Sequence, residues 1–296
     1  MISNLPQREE FLRKKKKKKI IKYSIIFGTI VIFIALASYI SHRPSIRISK
    51  IELTGGVLVG EKDLETKTLE YLEGSHIWLF PRGNAFWYPK TALRSYLKDN
   101  FKRIDTIETN LKDFHTLSIR ITERKPIAIW CKGAPNESSS FLADVSSTTS
   151  SIAVDNSACF FIDQNSTIFA PSPIFSGDAY FKYYGLLDID NPIGLEYIAS
   201  TTKFIEINNF VDSLKSLSLR PQYVIAKNND EFSAIISGGG EIFFDTKKPL
   251  FSVFENLKAL LQTTALSKSL NSLDYIDLRY GNKLFYKLKN TNNPGS

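Results

Sequence analysis

Residues 117–130 read LSIRITERKPIAIW. Leu117, Ile119 and Ile121 face one side of an extended chain; Ser118, Arg120 and Thr122 face the other. That period of two predicts a half-buried strand over Thr116 to Glu123. A charged break at Glu123-Arg124-Lys125 separates it from a second apolar run, Ile127 to Lys132. Two domains are expected, 45–124 ending with this strand and 125–289 after it.

Upstream, a second alternating strand runs from Ile104 to Lys112, joined to the first by a turn at Asp113 to His115. Before it, Pro89 opens a helix with an apolar stripe of Leu93, Tyr96, Leu97 and Phe101, and proline suits a first helical turn. A loop with Trp78, Phe80, Pro81, Phe86 and Trp87 precedes that helix. Further back, Gly60 to Glu73 predicts another helix. Acidic residues crowd its first turn, Leu64, Leu69 and Leu72 form its apolar face, and Gly74 ends it. Arg47 to Thr54 predicts a strand ending at Gly55-Gly56. The order is β-α-α-β-β, which one three-stranded sheet with two helices on one face would bury.

Six lysines, Lys14 to Lys19, run into the long apolar stretch Ile20 to Ile40. As helix that stretch is about 31 Å long, enough for a hydrocarbon core of about 30 Å. Its one charge, Lys22, lies at the edge, where its stem can snorkel. The exit, Ser38-Tyr39-Ile40-Ser41-His42-Arg43-Pro44, lacks the small-residue pattern of a cleaved signal peptide. An uncleaved anchor is expected over 23–41, with a basic tail over 1–22. The whole chain carries a net charge of +8, and residues 1–22 account for +7 of it. A basic chain invites a nucleic-acid reading, but here the charge abuts the span. The positive-inside rule then predicts a cytoplasmic tail and extracytoplasmic domains.

The second domain reads as mostly strands. Ile127 to Lys132 and Cys159 to Ile162 can pair across a Ser/Thr-rich insertion, Ala134 to Ser157. Lys203 to Ile207 is expected as a short strand and Phe210 to Leu217 as a helix. Tyr223 to Lys227, Phe232 to Ile236 and Glu241 to Phe244 form a meander, turning at Asn228-Asn229-Asp230 and Gly238-Gly239-Gly240. A helix covers Pro249 to Thr263, with Phe251, Phe254, Leu257, Leu260 and Leu261 on one face. Tyr275 to Tyr280 and Lys283 to Leu288 are the last strands, joined at Gly281-Asn282, and 290–296 is a short tail. The fold class is α+β: a transmembrane helix, a β-α-α-β-β unit, and a mostly antiparallel β-domain with one or two helices.

No catalytic or cofactor site is legible. His42, His76 and His115 lack ligand spacing, so no metal is expected. Ser95-Tyr-Leu-Lys98 matches S-x-x-K, but it lies on a helix whose Leu93 and Leu97 are core, without a companion S-D-N or K-T-G. The triple glycine 238–240 reads as a hairpin turn rather than a phosphate loop. Asn136 and Asn165 begin glycosylation sequons. Cys131 and Cys159 are either a disulfide between paired strands or two small buried thiols.

Taken together, the basic tail, single span, β-α-α-β-β unit and residues 117–130 resemble the FtsQ/DivIB family of bacterial cell-division proteins. So does residues 273–286, LDYIDLRYGNKLFY. Glu123, Pro126, Ala128 and Trp130 match the end of the family's POTRA module, and Asp277-Leu278-Arg279 matches its C-terminal strand. Phe114-His115 stands where that module often has a proline. Asp163-Gln164-Asn165-Ser166 has serine in place of a turn glycine, with Asn165 expected to take the left-handed geometry. The resemblance implies a non-catalytic scaffold at the division septum of the inner membrane, binding no small molecule or nucleic acid. The implied partners are FtsB/FtsL-like single-span proteins, held by β-augmentation. Tyr280, Lys283, Phe285, Tyr286 and Lys287 are the candidate contacts, half of which alternation would place in the core. Asp277 and Arg279 could instead pair within the sheet. Alternatives are a POTRA-bearing secretion or assembly factor and a membrane-anchored cell-wall enzyme.

Overall fold

A computed structural model describes residues 5–76, 79–133, 159–173, 175, 179–263, 270–281 and 283–289. The chain divides into two compact units at Glu123/Arg124. Trp78, Asn282, residues 290–296 and the insertion 134–157 with Asn136 lie outside the described residues.

The first unit begins with helix α1 (Leu5–Ser41), continuous through the lysine block rather than starting after it. Its segment Lys15–Ser41 is long and apolar enough to cross a membrane, and its large apolar side chains are exposed. Strand β1 (Lys50–Thr54), helix α2 (Glu61–Glu73), a small ribbon of β2 (Ser75–His76) and β3 (Phe80–Pro81), helix α3 (Lys90–Asn100), β4 (Ile104–Leu111) and β5 (Thr116–Glu123) follow. The sheet order is β1-β5-β4, with β5 parallel to β1 and antiparallel to β4. A parallel pair needs a crossover, and the two helices supply it. Leu64 and Leu72 of α2 and Leu93 and Leu97 of α3 pack on Leu117, Ile119 and Ile121 of β5, all buried. At Gly55 (φ +93°) an added Cβ would lie 2.4 Å from the Ile121 carbonyl oxygen, so only glycine lets β1 turn away there.

The second unit is a nine-stranded, mostly antiparallel sheet. Its strands are β6 (Ala128–Cys131), β7 (Cys159–Ile162), β8 (Ile168–Pro171), β9 (Phe181–Gly185), β10 (Pro221–Ala226), β11 (Glu231–Ile236), β12 (Glu241–Asp245), β13 (Leu273–Asp277) and β14 (Phe285–Leu288). Their order is β14-β13-β12-β11-β10-β9-β6-β7-β8. Helix α4 (Thr201–Ser216) links β9 to the parallel β10, and α5 (Leu250–Thr263) links β12 to the parallel β13. Both helices bury Phe204, Ile207, Phe210, Leu250 and Leu257 against one face, on Trp130, Tyr183, Phe232, Phe244 and Ile276. Trp130 is fully buried on that face, and its indole N–H donates to the Gly185 carbonyl at 3.0 Å. Gly185 (φ +83°) leaves no room for a Cβ, which would lie 2.3 Å from the Ala226 oxygen.

Three expectations about these elements are corrected, and two strands are added. Lys203 to Ile207 is not a strand but the start of α4. Five residues are too few to separate the two periods, and Phe204, Ile207, Phe210, Val211 and Leu214 are buried together at helical spacing, while the Ser200 hydroxyl accepts from the Lys203 N–H. Strand β13 ends at Asp277, short of Tyr280. The Asp277 carboxylate accepts from the Arg279 backbone N–H at 3.1 Å, and this local turn takes the chain out of the ladder. The left-handed residue of the Asp163 turn is Ser166 (φ +67°), not Asn165. The Ser166 hydroxyl accepts from the Ile198 N–H at 2.8 Å, which holds the serine in that conformation. Strands β8 and β9 were not anticipated; each is too short to show a period.

Candidate functional site: the β14 edge

The two ends of the nine-stranded sheet differ. At one end, β8 is covered. Its Ile168 N–H donates to the Leu195 carbonyl at 2.9 Å, the Gly194 N–H donates to the Ile168 carbonyl at 2.7 Å, and Thr167 bridges to Glu196. Pro171 closes β8 without an N–H to offer. At the other end lies β14, paired antiparallel with β13 through Ile276↔Tyr286 and Asp277↔Phe285. Among the described residues no strand pairs with its outer side. Half of its backbone donors and acceptors point that way, the arrangement a partner strand can use.

Strand β14 keeps an open surface as well as an open edge. Phe285 and Tyr286 are 50% and 47% exposed and Lys287 is exposed; only Leu288 is partly covered. Alternation predicted that half of the candidates would be core, and this is corrected. Tyr286 pairs with buried Ile276, but on this last strand of the sheet its side chain is 47% exposed. Tyr280 (59% exposed) and Lys283 lie in the preceding loop rather than in a strand. The Tyr280 and Phe285 rings meet edge-on at 5.2 Å, so loop and strand present one aromatic surface. Lys287 is engaged within the domain, its ammonium 2.9 Å from the Asp274 carboxylate, which raises its pKa.

Asp277 and Arg279 form an internal clamp under this edge. The guanidinium donates to both carboxylate oxygens, at 2.9 and 2.6 Å. It also lies 3.5 Å from a Glu231 oxygen and 5.2 Å from the centre of the Phe243 ring. Burial disfavours the Asp277 carboxylate, but the Arg279 hydrogen bonds outweigh it and hold its pKa below the ordinary value. The same contacts push Arg279 upward. The pair therefore stays ionised and fixes the chain between β13 and β14. Leu278 between them is buried, its N–H donating to the Phe243 carbonyl at 2.8 Å.

The remaining motif residues are structural in place. Cys131 and Cys159, partners in the β6–β7 ladder, form a disulfide with Cα atoms 4.1 Å apart. Glu123 accepts from the backbone N–H groups of Val57, Leu58 and Val59 at 2.7–2.9 Å. Burial opposes its ionisation, yet these three donors, with Arg103 nearby, hold its carboxyl below the ordinary value. Ala128 and Trp130 are core. Arg124 pairs with the buried Asp163 carboxylate, which also accepts from the Asn165 and Thr167 N–H groups at 2.9 Å. Ser95 and Lys98 are exposed on α3, and Gly238-Gly239-Gly240 closes the β11–β12 hairpin. His42 and His115 each contact a backbone carbonyl, of Ser38 and Arg47. Among the described residues no cluster of three or more His, Cys, Asp or Glu side chains is placed to hold a metal.

The capped β8 end was the feature sequence reasoning missed: the cap comes from residues 194–196, which carry no strand signal. No protein-family model matches the chain, and no curated protein matches it.

Proposed function

We propose that this chain is a membrane-anchored, non-catalytic scaffold of the FtsQ/DivIB type, in which β14 receives a strand from a partner protein. The first unit has the element order of a POTRA module, and we assign it that identity. The basic tail is cytoplasmic and both folded units lie on the far side of the inner membrane. The partners are small single-span proteins of the FtsB/FtsL kind, and the place of action is the division septum. One observation carries the reading: β8 is capped at Thr167 and Ile168, while among the described residues β14 has a free backbone edge and an aromatic surface of Tyr280, Phe285 and Tyr286. Lys283 adds a cation beside that surface. The Asp277–Arg279 clamp supports the reading by holding the edge in place before a partner arrives, which lowers the ordering cost of binding.

Deleting Gly281 to Ser296 is expected to leave the protein in the membrane and abolish co-purification of the partner pair. The double variant Phe285→Ala/Tyr286→Ala keeps the backbone edge and is expected to weaken capture, since aromatic anchors dominate most interfaces. Undiminished capture by the deletion variant overturns the reading.

A further inference from the structure

The loop after β3 ends in an aromatic surface with no protein cover: Trp87 is 73% exposed, Phe86 63% and Phe114 49%. Phe86 and Phe114 are in ring contact at 5.2 Å. Phe86 and Trp87, with Phe33, Ile34, Ala37 and Ile40 of α1, line an almost wholly apolar cleft of about 620 Å³. The loop cannot swing away from α1. The Ser38 hydroxyl donates to the Leu79 carbonyl at 2.7 Å. The buried Asn84 amide donates to the Ser41 hydroxyl at 2.9 Å, and the Ala85 N–H donates to the Ile46 carbonyl at 2.9 Å.

We infer that Phe86 and Trp87 seat in the leaflet where α1 emerges and that phospholipid fills the cleft beside them. The inference rests on the reading of α1 as a membrane span. Ser38 lies inside the apolar stretch, about 3 Å below Ile40 at about 1.5 Å per residue. A loop hydrogen-bonded to Ser38 and Ser41 is thereby held at the depth of the membrane interface. Trp and other aromatic side chains are favoured there, where their rings leave water without entering the hydrocarbon centre. Five of the cleft residues, Ser41 among them, belong to the span itself, so the cleft is continuous with a surface that lipid already covers. Arg43 follows the last residue of α1 by two positions, and Lys90 follows Trp87 by three. The Arg43 guanidinium lies 5.0 Å from the Tyr39 ring, and the Lys90 ammonium 5.6 Å from the Tyr88 ring. Cations on aromatic supports at this depth suit the phosphate of a lipid headgroup. The first unit is thus held by two attachments, a span and an aromatic foot, which restrains its tilt against the bilayer.

The test uses the full chain in vesicles of phosphatidylethanolamine and phosphatidylglycerol. A single environment-sensitive fluorophore is placed by Phe86→Cys or, in a second variant, Trp87→Cys. Leu58→Cys is the water-facing reference; Leu58 is also an exposed apolar residue (69%), but it lies at the far end of β1, beside Glu123. Ile30→Cys reports on the span. Nitroxide lipids labelled near the headgroup are expected to quench positions 86 and 87, deeply labelled lipids to quench position 30, and neither to quench position 58. Quenching at 30 without loss at 86 and 87 overturns the inference and leaves the span intact. Absence of quenching at 30 overturns the span, and the inference with it. Blue-shifted emission at 86 that resists lipid quenching and grows with the protein-to-lipid ratio would assign the cleft to a second copy of the chain, and would also overturn the inference.

Discussion

At the scale of single residues, Glu123 shows how one carboxylate can organise a loop. Three consecutive backbone N–H groups converge on one of its oxygens. Its folded pKa lies below the ordinary 4.5, so the unfolded chain takes up more protons as pH falls. The stability it contributes is complete above pH 4.5 and is lost as pH drops from there through the folded pKa. Glu123→Gln is expected to cost about 1–2 kcal/mol at neutral pH, because it exchanges charge-assisted hydrogen bonds for neutral ones. Urea titrations at a series of pH values should also find a shallower acid limb in the variant. Ser166 is a second case. Ser166→Ala keeps the left-handed backbone but leaves the Ile198 N–H without its acceptor, at an expected cost of about 1–3 kcal/mol in urea unfolding. Ser166→Gly relieves the backbone and should cost less. Sequence located both residues as motif positions. The partners of Glu123 lie 64–66 residues away and that of Ser166 lies 32 away, beyond any local pattern.

At the scale of elements, the long periodic segments were legible. The alternation of Thr116 to Glu123, the meander Tyr223 to Phe244, and the stripes of α2, α3 and α5 each repeat over enough residues to separate periods of 2 and 3.6. Short segments were not. Lys203 to Ile207 is too short to separate the two periods, and the sheet packed beneath α4 selects the helix. Strands β8 and β9 are buried by neighbours distant in sequence, so their own four or five residues carry little signal. The β6–β7 pair carries the disulfide, which closes a loop of 28 residues. By the chain-entropy account, replacing both cysteines with alanine should lower stability by roughly 3–4 kcal/mol. Thermal or urea unfolding of wild type with and without reductant checks this, since the double variant should lose its sensitivity to reductant.

At the scale of the whole molecule, charge and apolar length set the proposed topology. Replacing Lys14 to Lys19 with glutamine removes six of the positive charges before the span. The expected outcome is a mixed population with some C-terminal domains on the cytoplasmic side, read with a compartment-sensitive reporter fused to the C-terminus. Composition and periodicity by themselves determined the α+β class, the apolar helix and the β-α-α-β-β order. All of these depend on contacts within a few turns or on the burial of one face, which a linear pattern records. Tertiary structure alone decided that residues 194–196 cap β8, which of the two roles Asp277 and Arg279 take, and that Asn84 ties an aromatic loop to the end of α1. Those features depend on backbone groups and side chains meeting across tens of residues. Hydrogen-bond satisfaction at such meetings is a property of the packed chain and leaves no period in the sequence.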